Sequence, residues 1–433
     1  MENNKNAKEL IDFIHQSPST FHVVENMSVE LTQAGFTPLD LRNAWNLKPG
    51  GKYFTVRNGS SLFAFIVGDT NPETSGFRII STHSDSPTFK LKPSPEMMVE
   101  KRLLKLNTEV YGAPVLMSWL DRPLSIAGRV SLKGESALYP ENRLVNINRP
   151  VAIIPNLAIH LNRAVNEGVE LNKQKDMLPL LGIVHGDASE GFIIRMAAKE
   201  LGVDEADILD FDLTLYDFQQ GCIMGVGNEF ISCPKLDNLA SVHAGLKAIL
   251  KAKPAKATQM LAVFDNEEVG SVTKQGAGSP VLRNLFERIL FHLGKTGEAL
   301  HRAIYSSFMV SADMAHGVHP NLVEKHDPVL HPIINGGPVI KVHAGQKYTT
   351  DGDSGAVFET ICRKAGVPSQ RFANRSDAVG GSTLGNISTG QLDMRCVDVG
   401  NPILSMHSVR ELSGVDDHNY MIRALSCFYD MDK

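Results

Sequence analysis

His83-Ser84-Asp85 sets an imidazole and a carboxylate two positions apart, directly after the apolar run FRIIST. Both side chains can enter one cleft, the aspartate holding the imidazole in the tautomer that leaves a nitrogen free for a metal. Asp237-Asn238 opens a helical pattern after Pro234. Glu267-Glu268 follows the run QMLAVF and Asp265, and adjacent carboxylates held in a cleft are costly unless a cation or a shared proton offsets their repulsion. Asp313 follows SSFMVS with His316 and His319 close behind, and His407 lies just beyond DMRCVDVG. Taken singly, the first is a surface turn, Asp237 a helix cap, the glutamates a solvated loop and His407 a structural residue. Taken together, they are the inventory that two tetrahedral zinc ions sharing a carboxylate require. Each ion needs a histidine and a carboxylate, one aspartate must bridge, and an unligated glutamate must serve as base.

The elements that must position these residues read as an α/β protein. Leu10, Ile11, Phe13 and Ile14 make one helical stripe, and Phe21, Val24, Met27 and Leu31 a second after Pro18. SSLFAFIVG and FRIISTH are short, apolar and bounded by turn residues, which predicts buried strands. From about Lys90 to Cys233, short β-like runs alternate with turn residues. Strand and helix then alternate: KLDNLASVHAGLKAIL (helix), QMLAVFD, SSFMVSAD and GPVIKV (strands), DGDSGAVFETICRKAG (helix), DMRCVDVG (strand) and a last helix. That pattern predicts a mixed, mostly parallel sheet sandwiched by helices, interrupted by a β-rich insert. The expected division is residues 1–90 plus 234–433 for the catalytic part and 91–233 for the insert. In such sheets, sites form where strands end, and the acidic and histidine residues stand at strand ends.

The chain has 433 residues, with Lys plus Arg 43 and Asp plus Glu 48, a formal net charge of -5. That balance leaves no electrostatic footprint for nucleic acid. A hydrophobic fraction of 42% with 21% charged residues is globular composition, and no run approaches the roughly 20 apolar residues of a membrane span. The polar N-terminus lacks a secretory apolar stretch. Cys222, Cys233, Cys362, Cys396 and Cys427 are scattered without a C-x-x-C. Both features predict a mature start near Met1 in a reducing cytoplasm, and any metal held by histidine and carboxylate. G-x-x-x-x-G-K-[ST], H-E-x-x-H and G-x-S-x-G are absent, which removes the P-loop, single-zinc protease and serine-hydrolase readings. GGSTLG at 380–385 lacks the spacing of a dinucleotide loop.

STHSDSPTFKLKP, PKLDNLASV, FDNEEVGS, SADMAHGVHPN, GPVIKV and SMHSVRE, in this order, together with IPNLAIHLNR inside the insert, closely resemble the aspartyl aminopeptidase family of di-zinc metallopeptidases. The resemblance implies that His83 and Asp313 hold one zinc, that Glu268 and His407 hold the other, and that Asp237 bridges them. It implies Glu267 as general base and Asp85 as the residue orienting His83 from behind. Two metals lower the pKa of a bridging water from about 16 toward 7, and Glu267 takes its proton as it attacks the peptide carbonyl. The resemblance further implies that His160 reaches a neighbouring subunit's active site, that Lys341 pairs with an acidic substrate side chain, and that His316 is a further substrate contact; by residue type alone, Lys341 reads equally as a structural ion-pair partner. It implies a β-rich dimerisation domain and a tetrahedral dodecamer with enclosed sites.

The expectation is therefore a cytoplasmic aminopeptidase with two Zn2+ per subunit, Mn2+ or Co2+ being possible substitutes. It would remove N-terminal residues, preferably Asp or Glu, from short peptides with a free N-terminus, with neither nucleic acid nor membrane as partner. Two rivals keep the metals with another substrate: an aminopeptidase of neutral preference and a deacylase of small amides. A third is a metal-stabilised assembly protein that binds peptides without cleaving them.

Overall fold

The computed structural model describes residues 2–68, 71–184 and 190–431. Its central sheet has nine strands, in the order Thr37–Pro38, Lys52–Arg57, Ser61–Ile66, Thr258–Phe264, Phe77–His83, Phe308–Ala312, Arg395–Gly400, Val339–Lys341 and Gln370–Phe372. The four strands from Thr258–Phe264 to Arg395–Gly400 run parallel. Ser61–Ile66 and Val339–Lys341 join them antiparallel. These central strands read as nearly continuous apolar runs because both faces are covered. Alternation then sorts the side chains. Ile80, Leu261, Val263 and Val310 enter the core shared with helices Glu2–Gln16, Thr20–Gln33, Leu236–Lys251 and Val415–Tyr429. Ile79, Met260, Phe264 and Met309 enter the core under helices Val281–His292 and Glu298–Tyr305. Each such side chain contributes about 1.5–3 kcal/mol relative to exposure.

The helices at 281–292 and 298–305 were not among the expected elements, although VLRNLFERIL has the spacing of an amphipathic helix. Helix Leu236–Lys251 is buried from Leu236 to Ile249 except at Lys247, so its apolar residues surround it instead of lining one stripe. Asp237 and Asn238 leave helical geometry at its start.

A second, six-stranded sheet is antiparallel throughout, in the order Tyr139–Asn146, Leu124–Ser136, Ile208–Asp217, Thr88–Val99, Leu103–Tyr111 and Leu180–Ile183. Its core is separate and includes Phe89, Trp119, Ile126 and Leu215. Strands Cys222–Met224 and Phe230–Cys233, at the end of the expected insert, do not join it. They pair with Glu411–Gly414 in a third sheet that also holds Pro402–Leu404 and Ala315–His316. A short β-like run fits either sheet by pattern, and its partner lies far away in sequence. No helix among the described residues is long and apolar enough to cross a membrane.

Candidate metal centre

Three strand ends, a helix start and a turn bring the candidate residues together at one edge of the central sheet. His83 ends strand Phe77–His83, Asp313 follows Phe308–Ala312, and Glu267 and Glu268 lie in the turn after Thr258–Phe264. Asp237 starts the central helix, and His407 sits between strands Pro402–Leu404 and Glu411–Gly414. Because the central strands are parallel, their carboxyl ends converge and leave a crevice there.

The Asp237 carboxylate stands between the two histidines. Its Oδ1 is 3.6 Å from His83 Nε2 and its Oδ2 is 3.6 Å from His407 Nε2. Asp313 Oδ1 is 3.5 Å from His83 Nε2, and Glu268 Oε2 is 3.3 Å from His407 Nε2. Glu267 Oε2 lies 4.0 Å from His83 Nε2. The ligand atoms of His83, Asp237 and Asp313 lie within 4.8 Å of one another, as do those of Asp237, Glu268 and His407, and those of His83, Glu267 and Glu268. Both imidazoles are oriented from behind. His83 Nδ1–H donates to the Asp85 carbonyl at 3.0 Å and His407 Nδ1–H to the Ala113 carbonyl at 3.1 Å. A carbonyl only accepts, so each Nδ1 carries a proton and each Nε2 faces the carboxylates, able to give its lone pair to a cation once the ring is neutral.

The electrostatics are those of a site built for cations. Burial, reinforced by Asp313, pushes Asp237 up to about 7. Burial, with Asp313 and Asp85 nearby, raises Glu267 to about 8 against the opposing pull of His83. Burial would raise Asp313 too, but Lys341 and His83 beside it hold its carboxyl well below the usual range. Burial would depress His83, and hydrogen bonding to Asp313 and Asp85 instead raises it. The cluster is suited to a metal on a second count: Asp237 Oδ1 and Glu268 Oε1 are buried and accept no hydrogen bond from the protein. A buried carboxylate oxygen left unpaired is costly, and a divalent cation between these groups would satisfy both. Nitrogen and oxygen donors of this kind suit zinc, manganese or cobalt.

Asp85 does more than the H-x-D spacing predicted. Besides facing His83 Nδ1 at 3.3 Å, it accepts from the Tyr111 hydroxyl at 2.7 Å and from the N–H groups of Glu267 and Glu268 at 3.2 Å. Lys341 is buried, and its ammonium donates to the Asp313 carbonyl at 2.9 Å, the Met314 carbonyl at 3.2 Å and Asp313 Oδ2 at 3.4 Å. A lysine has three donors, so Lys341 is committed to Asp313 and has none left for a substrate. His316 is exposed beside Phe372, with ring centroids 5.7 Å apart. His160 lies in an exposed turn outside the cluster.

Glu411 was missed. Its buried carboxylate accepts from the Asp237 N–H at 2.8 Å and the His407 N–H at 2.7 Å, tying the shared aspartate to the late histidine. Its signal was an acidic residue closing SMHSVRE four positions after the histidine. A cavity of about 310 Å3 lies behind the cluster, lined by Asp85, Tyr111, Lys90 and Lys235 and by none of the five candidate ligands.

Known proteins are similar to this chain over nearly its whole length. The family model described as aminopeptidase I zinc metalloprotease (M18) matches residues 13–429. A probable M18 family aminopeptidase 2 of Clostridium acetobutylicum is 53% identical over 426 residues, covering 98% of both chains. A chain in a cryo-EM structure of the Ape4 and Nbr1 complex superposes with a TM-score of 0.93 at 34% identity, over 99% of this chain and 86% of that one. The S. cerevisiae mApe1 dodecamer superposes at 0.86 with 28% identity, over 99% and 97%. With a match this long and relatives this close, the chain belongs to the M18 family of zinc metallo-aminopeptidases.

Proposed function

We propose that the protein is a di-zinc aminopeptidase that removes an N-terminal Asp or Glu from peptides with a free N-terminus. One observation carries the two-ion reading: the Asp237 carboxylate turns one oxygen to His83 Nε2 and the other to His407 Nε2, each at 3.6 Å. His83 and Asp313 would hold one ion, Glu268 and His407 the other, and Asp237 both. Zinc at these positions supplies Lewis acidity toward a peptide carbonyl and acidifies water in the site.

The remaining work falls to the chain. Glu267 faces the cluster, its Oε2 4.0 Å from His83 Nε2, and has no ion of its own to hold in this reading. It takes the proton of the attacking water at its carboxylate and returns it to the leaving amine. Asp85 orients His83 and, through the two N–H groups it accepts, fixes the turn that carries Glu267. Lys341 balances the charge of Asp313.

The six-stranded sheet, spanning 88–217 and so most of 91–233, is read as the inserted dimerisation unit. Leu157, Ile159 and Leu161, which flank His160, are 54%, 48% and 75% exposed, an apolar surface that a subunit interface would cover. His160 would act from there in a neighbouring subunit, within a dodecamer like that of mApe1. Five unpaired cysteines support a cytoplasmic setting.

Neutral preference is the second reading, and the occupied donors of Lys341 favour it. An acidic substrate side chain would meet only the field of Lys341 and the exposed His316, the latter a substrate contact at the cleft's edge. Initial rates on Asp-, Glu- and Leu-p-nitroanilides, for wild type and Glu267→Gln with metal content measured on the same samples, separate the readings. Fast acidic cleavage, lost in the variant at unchanged metal, is the expected result. Preferential Leu cleavage selects the second reading. A metal-loaded wild type inactive on all three refutes both.

A further inference from the structure

The connection leaving strand Leu103–Tyr111 of the six-stranded sheet touches the metal cluster repeatedly, although no residue of it is a candidate ligand. The Tyr111 hydroxyl donates to Asp85 Oδ2 at 2.7 Å and accepts from Asn266 Nδ2 at 2.9 Å. Through Asp85 it is one step from His83 Nδ1 and from the N–H groups of Glu267 and Glu268. Gly112 lies against Glu268: a Cβ added there would stand 3.2 Å from the Glu268 Cβ and 3.4 Å from Pro87 Cα, and its φ of +71° also disfavours a side chain. The Ala113 carbonyl receives His407 Nδ1–H at 3.1 Å, and the Val115 N–H donates to the His407 carbonyl at 2.9 Å. Ser118 Oγ accepts from the Val409 N–H at 2.9 Å while donating to the Val115 carbonyl at 2.6 Å, so the turn after His407 is fastened as well.

We propose that residues 111–118 form a positioning strap through which the six-stranded sheet sets the pose of both metal-facing histidines and of Glu268. The inference rests on the di-zinc reading above. Its physical basis is the pairing of each imidazole with an outer partner. An Nδ1–H held by a carbonyl fixes both the tautomer and the ring rotation, so the free Nε2 is already aimed before a cation arrives. His407 needs this most, because it sits on a turn at φ +66° with its side chain 27% exposed, where packing alone does not fix the ring. The strap can supply it because Tyr111, at the end of its strand, pairs with Thr88 of the neighbouring strand, which fixes where the strap starts. The second sheet thus contributes positioning groups to the metal site of its own chain, apart from any role at a subunit interface.

The test is zinc affinity of the full-length protein, measured by chelator competition for wild type, Tyr111→Phe, Ser118→Ala and Gly112→Ala. Light scattering and metal-free thermal melts are recorded on the same samples. Tyr111→Phe and Ser118→Ala each delete one oxygen and keep the backbone. In wild type, two zinc ions bind per chain. Tyr111→Phe is expected to weaken the ion held with His83 by about 10–100-fold and Ser118→Ala the ion held with His407 by a similar factor, at unchanged particle size and metal-free melting temperature. Gly112→Ala crowds Glu268 and is expected to weaken the His407 ion. Zinc affinities within about threefold of wild type in both oxygen deletions overturn the strap, as do losses that merely track a fall in metal-free melting temperature. Wild type binding a single zinc refutes the two-ion reading instead, and the strap is then judged by the same criterion on that one site.

Discussion

His83 and His407 both turn Nδ1 to a main-chain carbonyl and Nε2 to carboxylates, but His83 finds its carbonyl 2 residues away and His407 finds it 294 positions earlier. His83 ends a central strand, with its side chain 1% exposed. His407 rests on a turn, 27% exposed, held by Ala113, Val115 and Glu411. Identical ligand chemistry is therefore obtained once from local sequence and once from tertiary contacts. The first pole inherits its rigidity from the sheet, whereas the second is only as rigid as the segments that reach it.

The largest expected effect falls on neither pole. Glu267→Gln removes the proton acceptor and should lower kcat by about 10²–10⁴-fold while both metals stay bound, as steady-state kinetics beside metal analysis would report. A variant that also lost metal would break the comparison, because Glu267 would then be a ligand of the His83 pole. Lys341→Met tests that pole alone. Removing one partner of a buried ion pair should destabilise the metal-free chain by about 3–5 kcal/mol, read by chemical denaturation, and weaken the ion beside Asp313 more than the ion beside Glu268.

Asp417 offers a reference remote from both poles. Burial pushes its carboxyl up to about 7 while it accepts the N–H groups of Asn335 and Gly337. A carboxyl whose folded pKa is raised stabilises the fold most below about 4 and loses that contribution as pH rises through about 7. Relative to Asp417→Asn, the wild-type melting temperature should thus fall by about 3–5 °C between pH 4.5 and 8. A flat difference would mean that the carboxyl is not protonated in the fold. The smallest expected effect is the most discriminating. Glu411→Gln leaves a single acceptor for two N–H groups, one at Asp237 and one at His407, and should weaken zinc by about 10–100-fold. Equal loss at both poles would show that Glu411 works through the shared aspartate, and loss at the His407 pole alone would show that it works through the turn.

The central sheet and most of the cluster were legible in the residues. FRIIST, QMLAVF and SSFMVS are apolar runs that a sheet covered on both faces demands, and each is followed by a charged or imidazole group with no reason to be there unless a site is. Helices 281–292 and 298–305 passed unread even though their periodicity was present. Strands 222–224 and 230–233 were read with the insert but pair with each other and with 411–414, since a short β-like run does not name its partner. Lys341 was read as reaching toward substrate on the family resemblance, a structural ion pair being equally open by residue type, and its contacts with the carbonyls of Asp313 and Met314 and with Asp313 Oδ2 are visible only in the fold.

Residue type and order alone determined which groups could bind cations, which family pattern they follow, and that parallel strands would deliver them to one edge. These follow from chemistry each side chain carries with it and from periodicities of two and 3.6 residues that any window of sequence reveals. Tertiary structure alone decided that Asp237 divides its oxygens between two histidines, that Glu411 ties them together, and that main-chain groups of Ala113 and Val115 hold His407. A backbone carbonyl is the same in every residue, so nothing in the letters distinguishes the one that orients this imidazole from the hundreds that do not.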